Sequence, residues 1–404
     1  MKRLLLLGGV LLAGALAFAS DRLASAVGGT DRAMPSHDSV SEQYRQEIAF
    51  WERELEKDPY SFIAIERLAI ARLALARATG DETQFEAAER ELGRAASFAP
   101  QDDVTRPLLL ARTFMARHAF ADALAEVDAV LKRSAEHFAA KELRSDILLS
   151  LGRYDEAFAA AEELARLNPS HGTWARLAEV RELQGRSTEA KLLLEQALAE
   201  ADRLNPEPAA WLYLRYGIHF LKQKEYARAE QAFRDSLSVA PDYYLALEHL
   251  AEVYELTDRP EEALPLLRKA IAIRPAPALQ VRLAALLQEQ EMTVEADQLE
   301  KAAHTLMQAQ ALRDPAAHGR DYVESMLATD GDVEELISYV EQDLAARPGD
   351  LRSNLVAAQV YSRAGRPDLA RKHLELAARL PTSDRNFATE ISALRENISS
   401  TVAR

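Results

Sequence analysis

The chain contains no cysteine. That excludes disulfides, iron–sulfur clusters, thiolate zinc sites and thiol nucleophiles, and leaves the redox compartment open. β-Branched residues nowhere alternate with polar ones over a strand length, so almost no sheet is expected. Aromatic residues are scarce, at 7% of the chain. The nine histidines (37, 118, 137, 171, 219, 249, 304, 318 and 373) include no pair spaced three or four apart. No helix therefore offers two imidazoles to one metal ion. There is no HExxH, no Walker loop, no GxSxG and no glycine-rich phosphate cradle. No catalytic residue, metal site or cofactor is expected.

Positive charge is the other shortage. The formal net charge is −15, and loss of Lys2 and Arg3 with residues 1–19 would take it to −17. A surface of that sign repels phosphate backbones, which argues against nucleic acid as a partner, and it favours basic partners and solubility. Lys2 and Arg3 precede an apolar run from Leu4 to Ala19, and Ala17-Phe18-Ala19 has the small-x-small form of a signal-peptidase site. Ala24-Ser25-Ala26 is a second candidate. The run is shorter than the roughly 20 residues that span a bilayer comfortably. Residues 1–19 read as a signal peptide, with an uncleaved inner-membrane anchor as the alternative. Either would place the rest in the periplasm or outside. Residues 20–40, small and polar with Gly28-Gly29 and Pro35, read as a flexible linker.

What is abundant is helical pattern, and it repeats. Trp211, Tyr216-Gly217, Phe220, Tyr226, Ala229, Phe233, Leu237 and Pro241 form one copy. A shift of 34 residues brings Leu250-Ala251, Tyr254, Pro260, Ala263, Leu267, Ile271 and Pro275 into the same slots. A period of that size marks helical hairpins that cannot bury their apolar faces alone and must stack. Second helices are expected near 83–98, 119–133, 153–167, 187–201, 225–239, 259–273, 293–310, 332–346 and 366–379. Most carry an early alanine where two helices would cross closely: Ala88, Ala123, Ala157, Ala190, Ala229, Ala263, Ala296 and Ala370. Gly152, Gly185 and Gly365 open near-identical turns and suit a left-handed residue.

These slots resemble the tetratricopeptide repeat (TPR). The resemblance covers roughly residues 60–381 and is tightest in the middle. It implies an all-α fold: a right-handed α-solenoid of about nine TPR-like hairpins, with an N-terminal entry helix and a C-terminal capping helix. Val40, Tyr44, Ile48, Trp51 and Leu55 make the apolar face of the entry helix, which should start near Ser39 or Ser41. Phe387, Ile391, Leu394 and Ile398 do so for the cap. Residues 41–300 are read as the N-terminal and central array, 301–322 as an irregular junction broken at Asp314-Pro315, and 323–404 as the last hairpins and cap. Two further departures are a long turn from Ala78 to Gln84 and about five extra residues before Trp211.

The resemblance also implies that the first helix of each unit lines a concave groove. Its groove slots hold Glu142, Asp146, Glu179 and Glu182, then Trp211, Leu214, Ile218 and Leu221, then Glu248, Glu252 and Glu255. An apolar strip between acidic clusters would suit a protein or peptide with an apolar centre and basic flanks. Chaperone-binding TPRs clamp a C-terminal carboxylate with lysine and asparagine; the matching slots here are acidic. The expectation is a non-enzymatic protein-binding scaffold of the bacterial cell envelope. A membrane-anchored assembly or secretion factor is the alternative, and an enzyme with a repeat-built pocket stands behind both.

Overall fold

The computed structural model describes residues 37–201, 206–327 and 332–402. The leader and most of the linker lie outside these residues, as do the first inserted residues before Trp211. Within them there are twenty α-helices and no strand. The entry helix α1 (His37–Lys57) is followed by nine hairpins. These are α2 (Phe62–Thr79) with α3 (Thr83–Ala95), α4 (Thr105–Ala116) with α5 (Phe120–Arg133), and α6 (Phe138–Ser150) with α7 (Tyr154–Leu167). Then come α8 (His171–Leu183) with α9 (Ser187–Glu200), α10 (Pro206–Lys222) with α11 (Tyr226–Val239), and α12 (Tyr244–Leu256) with α13 (Pro260–Ile273). The last three are α14 (Pro277–Glu289) with α15 (Thr293–Arg313), α16 (Pro315–Met326) with α17 (Val333–Ala346), and α18 (Leu351–Arg363) with α19 (Pro367–Ala377). The cap is α20 (Arg385–Val402).

Each hairpin is held at its crossing by the alanine the period singled out. All eight are fully buried, and Leu336, 34 residues before Ala370, fills that slot in α17. Where helix A supplies the small residue the logic inverts: a Cβ on Gly217 would lie 2.4 Å from the Phe233 ring. Each of the eight intra-hairpin turns among the described residues contains one left-handed residue. Glycine takes it at Gly80, Gly152, Gly185 and Gly365, whereas His118, Lys224, Asp258 and Glu291 adopt it at φ near 60°. Those four tolerate a conformation that costs L-residues about 1–2 kcal/mol.

The core is a chain of linked clusters rather than one centre, as nearest-neighbour stacking dictates. Ile48 of α1 packs with Leu68, Ala71 and Leu75 of α2. Ile391, Leu394 and Ile398 of α20 join the last cluster. The helix α1 begins at His37, a little before the expected start, so the linker's final residues are helical. The turn expected to be long, Ala78 to Gln84, is only Gly80–Glu82, because α2 and α3 extend into it. Residues 301–322 are helical except at Asp314, whose carboxylate caps α16.

The array also coils back onto itself, which stacking alone does not require. The turns within the first five hairpins form a row that meets the junctions between later ones. Glu82 pairs with His318 at 3.0 Å and with Arg313, and Arg117 reaches Asp314 at 3.5 Å. Further along, Gly152 presses on Gly349, while Arg379 donates to the carbonyls of Gly152 at 2.7 Å and Gly349 at 2.8 Å. Gly185 meets Pro381, and the Ser383 N–H donates to the Glu182 carbonyl at 2.8 Å. Gln223 closes the row by donating to the Ser383 carbonyl at 2.7 Å. The seam lays the first five hairpins edge to edge against the junctions from α15 onward.

Candidate functional site

Among the expected groove residues, the apolar quartet sits on α10, a 17-residue helix longer than the other A helices of the central units. Its side chains do not form an open strip. Trp211 is 7% exposed, Leu214 3%, Ile218 5% and Leu221 1%. Trp211 packs with Trp174 and Leu194 of the preceding unit, and the other three join the core shared with α12 and α14. With all four side chains buried in these clusters, the expected strip is a packed layer.

The acids are also engaged, all but Glu252 by a basic side chain on the next A helix. Arg176 of α8 reaches back to α6, donating to Glu142 at 2.8 Å and to Asp146 at 2.9 and 3.1 Å. Glu179 of α8 pairs with Arg215 of α10 at 3.1 Å. Glu182 holds His219 at 2.9 Å and Lys222 at 2.8 Å. On α14, Arg282 reaches Glu255 at 2.8 Å and Glu248 at 3.5 Å, both on α12, while Glu252 takes His249 at 3.0 Å. The pattern continues past the predicted residues: Arg352 of α18 bridges Glu324 of α16 and Glu390 of α20, each at 2.8 Å.

Buried ions are tolerable only with good geometry and near-complete hydrogen bonding. The electrostatics follow that rule. Burial works against the charge on Arg176, yet Asp146 and Glu142 outweigh it and hold the guanidinium above its ordinary value. Burial would likewise raise the Glu182 carboxyl. Lys222, His219 and Arg215 overcome it and hold that group well below the usual carboxylate range. The ladder therefore ties successive units together in defined register.

Sequence reasoning found the acids and missed the cations. The signal was present: Glu142 to Arg176 and Glu248 to Arg282 are each one repeat period of 34 residues. A cation in the slot that the previous unit gives to an acid makes an inter-repeat pair.

Nine stacked helical hairpins with a period near 34 residues define an α-solenoid. The chain is a tetratricopeptide repeat protein: profiles of that repeat match residues 108–171, 176–235 and 209–276. Among solved structures it is similar to a chain of the APC/C hetero-tetramer Cut9–Hcn1, at 16% identity, TM-score 0.50, and coverage of 89% of this chain and 68% of that one. It is also similar to a monomeric mutant of IFIT1 solved with m7Gppp-AAAA, at 16% identity, TM-score 0.51, and coverage of 85% and 80%. At these identities the likeness concerns the fold. No curated protein matches the sequence. Among the described residues no helix is long and apolar enough to cross a membrane. TPR arrays are scaffolds for protein–protein interaction, and this chain is one by its repeats.

Proposed function

We propose that the chain is a non-enzymatic adaptor of the bacterial cell envelope, exported by residues 1–19 and holding a protein partner. The carrying observation is the set of ion pairs between successive A helices, α6–α8–α10, α12–α14 and α16–α18–α20, which braces the A-helix face in three segments. A partner with basic flanks would engage the acids at the rim of that face, Glu179, Glu252 and Glu255, by exchanging its lysines for internal cations. Crosslinking capture from envelope extract with residues 20–404 tests this. The expected result is a protein retained by the native chain and reduced at least fivefold by Glu179→Lys with Glu252→Lys. A partner retained undiminished by that variant would place the interaction elsewhere.

The alternative is a membrane-anchored assembly or secretion factor, favoured by the unbroken apolar run Leu4–Ala19 after Lys2-Arg3. Mass spectrometry of the mature N-terminus separates the two. A start near Ser20 supports the released adaptor, and an intact Met1 in the membrane fraction supports the anchored factor. A cytoplasmic chain overturns both.

A further inference from the structure

Along the seam the inner wall of the solenoid lines a partly open cavity of about 350 Å³, bordered by the first four units, by Tyr244 and Arg274, and by the α15–α18 region. That volume is in the range of small-molecule sites. Its lining departs from the rest of the chain in sign: eight arginines stand against six carboxylates, in a protein of net charge −15. One wall is apolar, formed by Leu73, Phe85, Met115 and Phe120. Across it stand Arg320 and Arg347, both almost fully buried. Arg347 lies over the Phe120 ring at 5.7 Å, so the apolar and cationic walls meet there.

Asp350, Asp343, Glu324 and Asp321 hold the Arg320 charge against burial, but neither guanidinium uses all of its donors. Arg320 has only a long contact of 3.4 Å to Asp350, and that carboxylate also takes the Ser353 N–H, the Ser353 hydroxyl and the Tyr154 hydroxyl. Arg347 is paired with Asp343 on its own helix and with the Ala316 carbonyl. The Nε–H of each arginine is buried with no hydrogen-bond partner in the protein. Burial and the neighbouring Arg320 together push Arg347 below its ordinary value, the mark of crowded positive charge. Burial pushes the nearby Asp321 carboxyl up, which weakens it as a counter-ion. A buried donor without a partner costs free energy, and an oxyanion bound by both forks would recover it.

We propose that this cavity binds a small organic oxyanion, with its phosphate or carboxylate group between Arg320 and Arg347 and its apolar body against Leu73, Phe85, Met115 and Phe120. The site is distinct from the acidic rim, and its occupancy would brace the seam by bridging early units and the α15–α18 region.

Titration calorimetry of the native chain tests it with three probes: phenyl phosphate, benzoate and inorganic phosphate. One of the two aromatic anions should bind with one site per chain, at least tenfold tighter than inorganic phosphate. Which of them binds identifies the anionic group. Ala116, exposed and at the edge of the lining, allows a plug. Ala116→Trp should weaken binding at least tenfold with an unchanged melt of the free chain. Arg347→Lys keeps the charge opposite Asp343 and removes the planar fork, and should also weaken binding at least tenfold. Absence of binding by both aromatic anions would overturn the proposal. So would equal affinity for inorganic phosphate, or native affinity in both variants.

Discussion

The hydroxyl of Tyr154 donates to the Asp350 carboxylate at 3.3 Å and accepts the Leu351 N–H at 3.1 Å, joining residues 196 positions apart. In a solenoid, contacts normally run between neighbouring units. This one ties the third hairpin to the junction before α18, five units on. Burial, with Asp350 beside it, pushes the Tyr154 phenol far above its ordinary value, so it remains a neutral donor at any physiological pH.

Gly152 and Gly365 separate the closure from the local turn. Both are left-handed, at φ 71° and 70°, but a Cβ on Gly152 would lie 2.1 Å from the Gly349 backbone while Gly365 faces open space. Gly365→Ala should cost about 1–2 kcal/mol for conformation alone. Gly152→Ala should cost about 1–3 kcal/mol more by overpacking and should enlarge the radius of gyration in small-angle scattering. Equal losses in the two variants would mean that the seam contributes nothing.

Trp211 belongs to the core between the fourth and fifth hairpins. Trp211→Ala should lower stability by about 3–5 kcal/mol through the cavity it leaves. Thermal and urea melts measure this, and an unchanged melt would return the indole to an open face.

Much of this architecture was legible in the sequence because a repeat states its contacts locally. The 34-residue period located all nine second helices, and the alanines at 229 and 263 marked crossings that are fully buried. The glycines at 152 and 185 announced left-handed turns. Their second role, meeting Gly349 and Pro381, was hidden, since a period specifies the next unit and says nothing about one that is five units away. The groove acids misled for a related reason. The partner of Glu248, Arg282, lies one period later rather than on the same helix.

Arg176 gives the ladder a thermodynamic test. Arg176→Met leaves Glu142 and Asp146 buried without their cation and should cost about 3–5 kcal/mol. Adding Glu142→Gln and Asp146→Leu should restore most of that loss, because an apolar replacement of a buried ion pair is often close to neutral. Denaturant unfolding of the single and triple variants reads the difference. A triple variant as unstable as the single one would show that the pair sets neither stability nor register.

His118 predicts the acid response. Its Nδ1 is buried without a partner and its ring stacks on Phe120 at 5.4 Å. Burial, then Arg347, Arg320 and His318, push the imidazole well below its ordinary value of 6.5. The unfolded chain therefore takes up a proton near that value which the folded chain refuses. Stability is full above pH 6.5 and falls as the pH drops below it, at up to about 1.4 kcal/mol per pH unit for this one group. Asparagine tolerates the left-handed backbone that His118 adopts at φ 57° and does not titrate. His118→Asn should accordingly flatten the loss of stability between about pH 6.5 and 5. It should leave intact the steeper loss at lower pH that comes from protonating Glu182, whose carboxyl is held below the usual range. Melting temperatures of the two proteins across that window decide it, and parallel curves would remove His118 from the account.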